Sequence, residues 1–157
     1  MIHYYRRKKL IMKRSLALAA VLALVLSAAA FAGVQDFGKF SIDVASGWTA
    51  SEQDGVVIIT KNDNAAQLTI SIADAGGATK AQLAEAFVEE FKKSFAEVSK
   101  PEADKDGDYS WDMKTAAGAE SHAMLSLEGS DFVLLVMTNV KEAPADFSAM
   151  LGSIKQK

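Results

Sequence analysis

Six consecutive apolar residues form the most uniform hydrophobic segment in the second half of the chain. They occupy positions 132–137, read Phe-Val-Leu-Leu-Val-Met, and are followed by Thr138 and Asn139. A strand with this pattern has no polar side, which is typical of a strand that is buried on both faces. We therefore expect residues 131–139 to form an interior strand of one sheet, with the rest of the chain supplying neighbouring strands and a helical cover.

Alternation of apolar and polar residues predicts further strands before this segment. Residues 40–44 and 68–72 alternate, and residues 56–59 form a β-branched run. Turn-forming residues separate these segments, among them Gly47 and the pair Gly76-Gly77. We expect these three strands to join the same sheet as the apolar segment.

Residues 109–127 read as two strands that pair in one register. Placing Thr115 opposite Ala119 sets apolar residues against apolar residues and opposite charges against each other, which a slip of one residue would not do. The pairs are Tyr109 with Leu125, Trp111 with Ala123, Lys114 with Glu120, and Asp112 with His122. The loop is then 116–118, ending in Gly, and the pair 129–130 fits a two-residue turn into the apolar strand. Three consecutive antiparallel strands are therefore predicted.

The hydrophobic period changes to that of a helix at Thr79. This residue and Gln82, three positions later, fit a capping box that marks the start of the helix. The segment ends at Pro101. Its apolar stripe consists of Leu83, Phe87, Phe91, Phe95 and Val98. Because a stripe at this spacing normally faces the core, we expect the helix to pack on the sheet.

A second, shorter helix is predicted near the C-terminus. Pro144 fits its first position, and its apolar residues are Phe147, Met150, Leu151 and Ile154. This helix is expected to cover the second face of the sheet. The predicted fold class is therefore α+β, with an antiparallel sheet of about six strands between a long helix and a short C-terminal helix, an α/β/α sandwich.

The N-terminus has the three parts of a secretory signal peptide. Basic residues precede an apolar stretch at 16–30, and small residues flank the bond after Ala32. A retained membrane anchor is the alternative, but the stretch is shorter than the roughly 20 residues of a spanning helix. We predict a signal peptide at 1–32, cleaved after Ala32, and a periplasmic or secreted protein with no stable membrane anchor. Met12 also begins a compact signal, which would make 1–11 an over-extended start.

Cleavage at this position leaves residues 33–157, enough for a single domain with its own core. The signal segment takes six of the 17 basic residues and none of the 20 acidic ones, so the remainder has a formal charge of −9 and no Arg. Nucleic acid is therefore a poor partner, because phosphate binding needs positive charge and usually Arg. Anionic membrane surfaces are disfavoured for the same reason. The absence of Cys excludes disulfides, thiolate nucleophiles and thiolate metal ligands.

One acidic segment approximates the pattern of a calcium-binding loop. Asp104, Asp106 and Asp108 alternate along it, and Gly107 occupies the sixth place. The twelfth place, which should hold a bidentate Glu, holds Met113. The three Asp residues are therefore weak metal candidates, and a solvated entry to the following hairpin is the favoured interpretation.

His122 is the only His between 33 and 157, and the predicted register places it opposite Asp112. A carboxylate in this position can orient an imidazole, yet there is no second His and no thiol to join them. Ser110 and Ser121 are outside any Gly-x-Ser-x-Gly motif. We predict no catalytic residue and no cofactor, and keep Asp112 and His122 as a candidate surface site.

The order of these elements resembles a known fold family. The features that carry the resemblance are the strand at 40–42 with the Gly47-Trp48 turn, two further strands, a long helix, a three-stranded meander and a terminal helix around 150–154. This order is similar to the PsbP-like fold, which is shared by the photosystem subunit PsbP, a Ran-binding import factor and bacterial periplasmic DcrB-type proteins. The resemblance implies an antiparallel sheet between helices and a binding or accessory role. No site residue is carried over from it.

Three hypotheses for function follow. The first is a non-catalytic exported accessory protein, chaperone-like in character, that holds a protein partner through an acidic surface or a free sheet edge and is itself a monomer or weak dimer. The second is a carrier of a small apolar ligand, whose cavity would be lined by Phe87, Phe91, Met124 and Met137. The third is a hydrolase that uses His122 and Asp112, which is disfavoured because few polar groups converge on them.

Overall fold

Strands and two α-helices account for most of residues 32–157, which are the residues that the computed structural model describes. The predicted signal peptide, except for its last residue Ala32, lies outside the described residues. In chain order the elements are β1 (Gly33–Asp36), β2 (Phe40–Val44), β3 (Trp48–Gln53), β4 (Val56–Lys61), β5 (Gln67–Asp74), α1 (Lys80–Phe91), β6 (Glu97–Val98), β7 (Glu102–Ala103), β8 (Tyr109–Lys114), β9 (Glu120–Glu128), β10 (Asp131–Thr138), a 3-10 turn (Val140–Glu142), α2 (Pro144–Ser153) and β11 (Lys155–Gln156). Within this part of the chain, no helix is long and apolar enough to cross a membrane.

The apolar strand predicted from the sequence, β10, lies at the centre of the main sheet. The order of strands there is β3-β4-β5-β10-β9-β8-β6, with β7 also paired to β8. Successive residues of β10 point to opposite faces, so that Phe132 and Leu134 enter the core on one side and Leu135 and Met137 pack into the core on the other. The prediction of an interior strand buried on both faces is confirmed.

Each face of the main sheet has its own cover, and the two covers are displaced from each other. Helix α1 packs over β8, β9 and β10, and its Phe87 ring meets the Phe132 ring at a centroid distance of 5.3 Å. On the opposite face, α2 and a small sheet of β1, β2 and β11 pack over β3, β4 and β5. There Trp48 meets Phe147 edge to face at 5.3 Å. On each face of the main sheet, the strands beyond the cover are therefore left without a helix packed on them.

The predicted α+β architecture is confirmed, with two differences in the strands. The main sheet has eight strands, more than the six expected, because β3 was not predicted and because β6 and β7 are only two residues long and carry no readable period. The segment 40–44 pairs in the small sheet instead of the main one. Alternation shows that a strand has one polar face, but it does not show which sheet the strand joins.

The predicted hairpin register is confirmed at every pair. In β8 and β9, Asp112 lies opposite His122 and Lys114 opposite Glu120, and the N–H of Thr115 donates to the Ala119 carbonyl oxygen at 2.9 Å. Gly118 has a φ of 88°, the left-handed conformation that the three-residue loop requires. The predicted turn at 129–130 leads into β10 and sets Leu125 opposite Leu134.

The long helix begins as predicted and ends earlier. The side chain of Thr79 accepts from the Gln82 N–H, and the Gln82 side chain accepts from the Thr79 N–H, which completes the capping box. The helix stops at Phe91, so the expectation that Phe95 and Val98 lie on it was wrong. The chain turns there because the Ala96 N–H donates to the Lys114 carbonyl oxygen and begins the pairing of β6 with β8.

Candidate functional site

The uncovered half of the main sheet, on the face opposite α1, is the first candidate surface. There β8 and β9 present Ser110, Asp112, His122 and Met124, because the core under α2 and the small sheet extends from β3 only as far as Leu135 and Met137 of β10. Met124 is 41% exposed, and among the described residues only Val34 is a more exposed large apolar residue. A polar surface with an exposed thioether is therefore available to solvent.

Asp112 and His122 form the hydrogen-bonded pair that the register predicts. The distance from His122 Nδ1 to Asp112 Oδ1 is 2.7 Å. The two residues occupy a position between backbone hydrogen bonds, where opposed side chains approach most closely. The side chains are 39% and 79% exposed, so the pair lies in high-dielectric surroundings. Its role as a surface site stays a prediction.

A shallow groove of about 270 Å³ runs beside this pair. Its lining includes His122 of β9, Met137 of β10 and Asn139, which follows β10, together with the two members of an ion pair. In that ion pair Lys141 Nζ lies 2.7 Å from Glu120 Oε2. The hydrogen bond from Lys141 lowers the pKa of Glu120 and raises the pKa of Lys141 itself. No sequence pattern pointed to Lys141, which reaches the groove from the turn after β10.

A second, wider groove of about 550 Å³ lies along the β6 side of the same strands. It shares Asp112 and Glu120 with the first groove and adds Glu97, Ser99 and Lys114. Carboxylates outnumber ammonium groups around both grooves. This part of the surface therefore favours polar or cationic groups over anions.

The serines considered for a hydrolase do not join the Asp112–His122 pair. Ser121 is buried, and its Oγ lies 2.8 Å from Thr138 Oγ1, so the two hydroxyls share a hydrogen bond. Ser110 lies opposite Met124, two residues along β8 from Asp112. In the described part of the chain, no hydrogen bond joins either hydroxyl to the imidazole of His122.

The acidic segment that approximated a calcium loop is a turn closed by its own hydrogen bonds. Asp104 Oδ1 accepts from the N–H groups of Asp106 at 2.8 Å and Asp108 at 3.0 Å. Asp108 Oδ1 accepts from Lys80 Nζ at 2.8 Å. Among the described residues, no three His, Cys, Asp or Glu side chains are grouped so that they could hold a metal ion. The alternating carboxylates are therefore explained by the turn between β7 and β8.

The apolar cavity considered for a carrier is not assembled by the four residues that were expected to line it. Phe87 and Phe91 lie under α1 in the core that contains Trp111. Met124 and Met137 belong to the other face of the sheet, because each alternates with residues of that core. The expectation of one cavity between these four residues was wrong, since the sheet itself separates the two pairs.

The two edges of the main sheet differ in how they are protected, and this difference is the second candidate feature. The outer edge of β8 is covered at both ends by the short strands β6 and β7. Between them Ser99 donates its N–H to the Asp112 carbonyl oxygen and accepts the Asp112 N–H on its hydroxyl, at 2.8 and 2.9 Å. At the opposite edge, no described residue pairs with the outer side of the last three residues of β3. The sequence did not reveal this difference.

The backbone groups at the open edge can be identified from the ladder between β3 and β4. The Asn62 N–H donates to the Gly47 carbonyl oxygen at 2.8 Å. Since bonded and non-bonded pairs alternate in an antiparallel ladder, Ser51 and Gln53 bond to β4, while the N–H and C=O groups of Glu52 are directed outward. Ala50 has the same orientation but is only 6% exposed, so Glu52 supplies the accessible groups. Edge strands with such free groups are templates for pairing with another chain.

Comparison with known proteins gives the fold but no close relative. Neither a family model nor a curated protein matches the sequence. The solution structure of cyanobacterial PsbP (CyanoP) from Synechocystis sp. PCC 6803 matches with a TM-score of 0.52 and 10% identity, over 85% of this chain and 98% of that one. A crystal structure from Bacteroides thetaiotaomicron VPI-5482 matches with a TM-score of 0.41 and 16% identity, over 76% and 45%, which is too distant to carry an argument. The narrower likeness to DcrB-type proteins stays a prediction. The match to CyanoP, which spans nearly all of that protein, establishes that this chain has the PsbP-like fold.

Proposed function

We propose that this protein is a non-catalytic, exported accessory protein that holds a protein partner. The observation that carries the proposal is the open edge of β3, opposite a β8 edge that is covered by two short strands. Natural sheets usually protect both edges, because a free edge invites pairing with other chains. An edge left open on one side is therefore suited to binding. Export rests on the predicted signal peptide.

The partner contributes an extended segment that adds to the main sheet as a further strand. Its backbone bonds to the outward groups of Glu52, which supplies affinity without a sequence requirement. The side chains of Ser51, Glu52 and Gln53 at this edge are exposed and polar, so the bound segment meets a wet surface. The formal charge of −9 on residues 33–157 favours a neutral or basic segment over an acidic one. Such binding is chaperone-like, because it recognises an extended backbone and not a particular sequence.

Replacement of Glu52 by Pro tests the proposal. Proline removes the outward N–H at this position but no bond of the β3–β4 ladder, so the sheet should stay folded. Glu52→Gln is the matched control, because it removes the charge and keeps the N–H. Proteins captured from a cell-envelope extract should bind to the unchanged protein and to Glu52→Gln and be lost with Glu52→Pro.

A direct measurement accompanies the capture. With the captured protein added, the amide hydrogen of Glu52 should exchange more slowly, while those of the inward-bonded Ser51 and Gln53 should change less. Equal capture by Glu52→Pro and the unchanged protein would overturn the proposal. Concentration-dependent dimers that Glu52→Pro abolishes would show instead that the edge pairs two copies of this chain.

A further inference from the structure

Met and His residues lie together on the uncovered half of the main sheet. They indicate a ligand of a different chemical class from the protein segment proposed for the edge of β3. His122 and Met137 are direct cross-strand partners of β9 and β10, and Met124 is two residues from His122 on the same face. Directly opposed residues have Cβ atoms roughly 4.5–5.5 Å apart, and diagonal neighbours are within reach of long side chains. One imidazole and two thioethers can therefore meet above this part of the sheet.

The imidazole is already oriented for binding through its second nitrogen. Asp112 Oδ1 accepts a hydrogen bond from His122 Nδ1 at 2.7 Å, because a carboxylate can only accept. In the neutral imidazole, this hydrogen bond selects the tautomer in which Nε2 has the free lone pair. Metal-binding His residues commonly have this arrangement, with one ring nitrogen on a carboxylate and the other on the metal. Asp112 lies on β8 and Met137 on β10, so Nε2 is directed away from β8.

Access is provided by the first groove, which is lined by both His122 and Met137. Met137 is 6% exposed, so its side chain is held by the core, whereas Met124, which lies beside the groove and not in its lining, is 41% exposed. Thioethers are soft, polarisable ligands, and no described group of three harder ligands competes at this place. Soft thioether and imidazole ligands together select soft monovalent ions over calcium, magnesium or manganese.

We propose that His122, Met124 and Met137 form a binding site for a soft monovalent metal ion, Cu(I) or its analogue Ag(I), with Asp112 as the residue that positions His122. The site is independent of the β3 edge, so either proposal can fail alone.

Methionine methyl resonances test the site directly. The purified protein, labelled with ¹³C at the Met methyl groups, is titrated with Ag(I), and signals are assigned by Met→Leu substitutions. The methyl groups of Met124 and Met137 should shift together and saturate at one ion. Met113 and Met150, buried at 3% and 0% in the two cores, are internal controls and should not move. Shifts at Met113 or Met150 but not at Met124 and Met137, or no saturable shift at all, would overturn the proposal.

Competition for Cu(I) against a chromophoric chelator, without oxygen, gives the affinity. His122→Ala and Met124→Leu should each weaken binding by about tenfold or more. Met137→Leu should do the same, and its near-equal volume keeps the core filled. Met113→Leu is the matched control. Unchanged affinity in both Met124→Leu and His122→Ala would mean that copper binds elsewhere on the chain and that these thioethers only pack.

Discussion

The indole nitrogen of Trp48 donates a hydrogen bond to Asp146 Oδ2 at 2.8 Å, and this bond ties the first residue of β3 to the first turn of α2. Trp48 is 1% exposed, so its N–H has no access to water. The acidic partner also lies near the N-terminus of its helix, where negative charge is favourable. One contact thus fixes the cover of the second sheet face to the edge strand.

Loss of that acceptor should destabilise the protein. Asp146→Ala leaves a buried indole N–H unsatisfied, which costs about 1–3 kcal/mol in the free energy of unfolding. Asp43→Ala is the control, because Asp43 is an exposed strand residue whose side chain makes no ion pair among the described residues. Denaturant unfolding, followed by circular dichroism, measures both variants. Equal stability of Asp146→Ala and Asp43→Ala would show that the Trp48 bond contributes nothing.

The capping box of α1 gives a second test of stability. Thr79→Ala removes the side-chain oxygen that accepts from the Gln82 N–H at 3.2 Å, and should cost about 1 kcal/mol. Thr79→Ser keeps the oxygen and should cost much less. Thermal unfolding of the two variants distinguishes a lost cap from a lost methyl group. If Ser and Ala were equally destabilising, the methyl contact would be the cause.

Because β10 is central, truncating two neighbouring apolar residues should reduce the free energy of unfolding by very different amounts. Leu134 is fully buried, so Leu134→Ala should cost about 2–5 kcal/mol. Met124 lies on the adjacent strand and is 41% exposed, so Met124→Ala should change stability by less than about 1 kcal/mol. Equilibrium unfolding in urea provides both values. Similar costs for the two substitutions would contradict the one-sided cover of β9.

The sequence determined the hairpin better than the rest of the fold, for a physical reason. Between β8 and β9 the side-chain pairs and the Gly118 loop both specify the same register, so a slip would disturb both faces at once. The capping box was equally local, since Thr79 and Gln82 complete each other's hydrogen bonds within one turn. Such features need no knowledge of distant parts of the chain.

The errors arose where an apolar pattern continues beyond the end of the helix that it predicts. Phe95 continues the stripe of α1 and packs edge to face on Phe91 at 5.7 Å, although the helix has already ended. The apolar pattern therefore indicated which core a residue joins but not its backbone conformation.

The candidate site could also be predicted only in part. The Asp112–His122 pair followed from the register, but Lys141 and the open edge of β3 depend on contacts between distant segments.

The exposed carboxylates predict how stability depends on pH. The pKa of Asp63 is lowered by a hydrogen bond from Lys61 and by the Ala65 N–H, and the pKa of Glu120 is lowered chiefly by Lys141. A folded-state pKa below the unfolded value means that the group stabilises the fold above its unfolded pKa. That contribution is lost as the pH falls through the folded pKa. The melting temperature should therefore decline as the pH is lowered below about 4.5.

Variants separate these ion pairs from other acid effects. Asp63→Asn and Glu120→Gln should each flatten the acid limb of a plot of melting temperature against pH, because the amide cannot titrate. Asp54→Asn, at an exposed position without an ion pair among the described residues, should leave it unchanged. Since all of these groups are exposed, salt at about 1 M should remove most of the difference between variants and control. An acid limb equally steep in all three variants at low salt would show that the lowered pKa values do not govern stability, and that protonation of other carboxylates does.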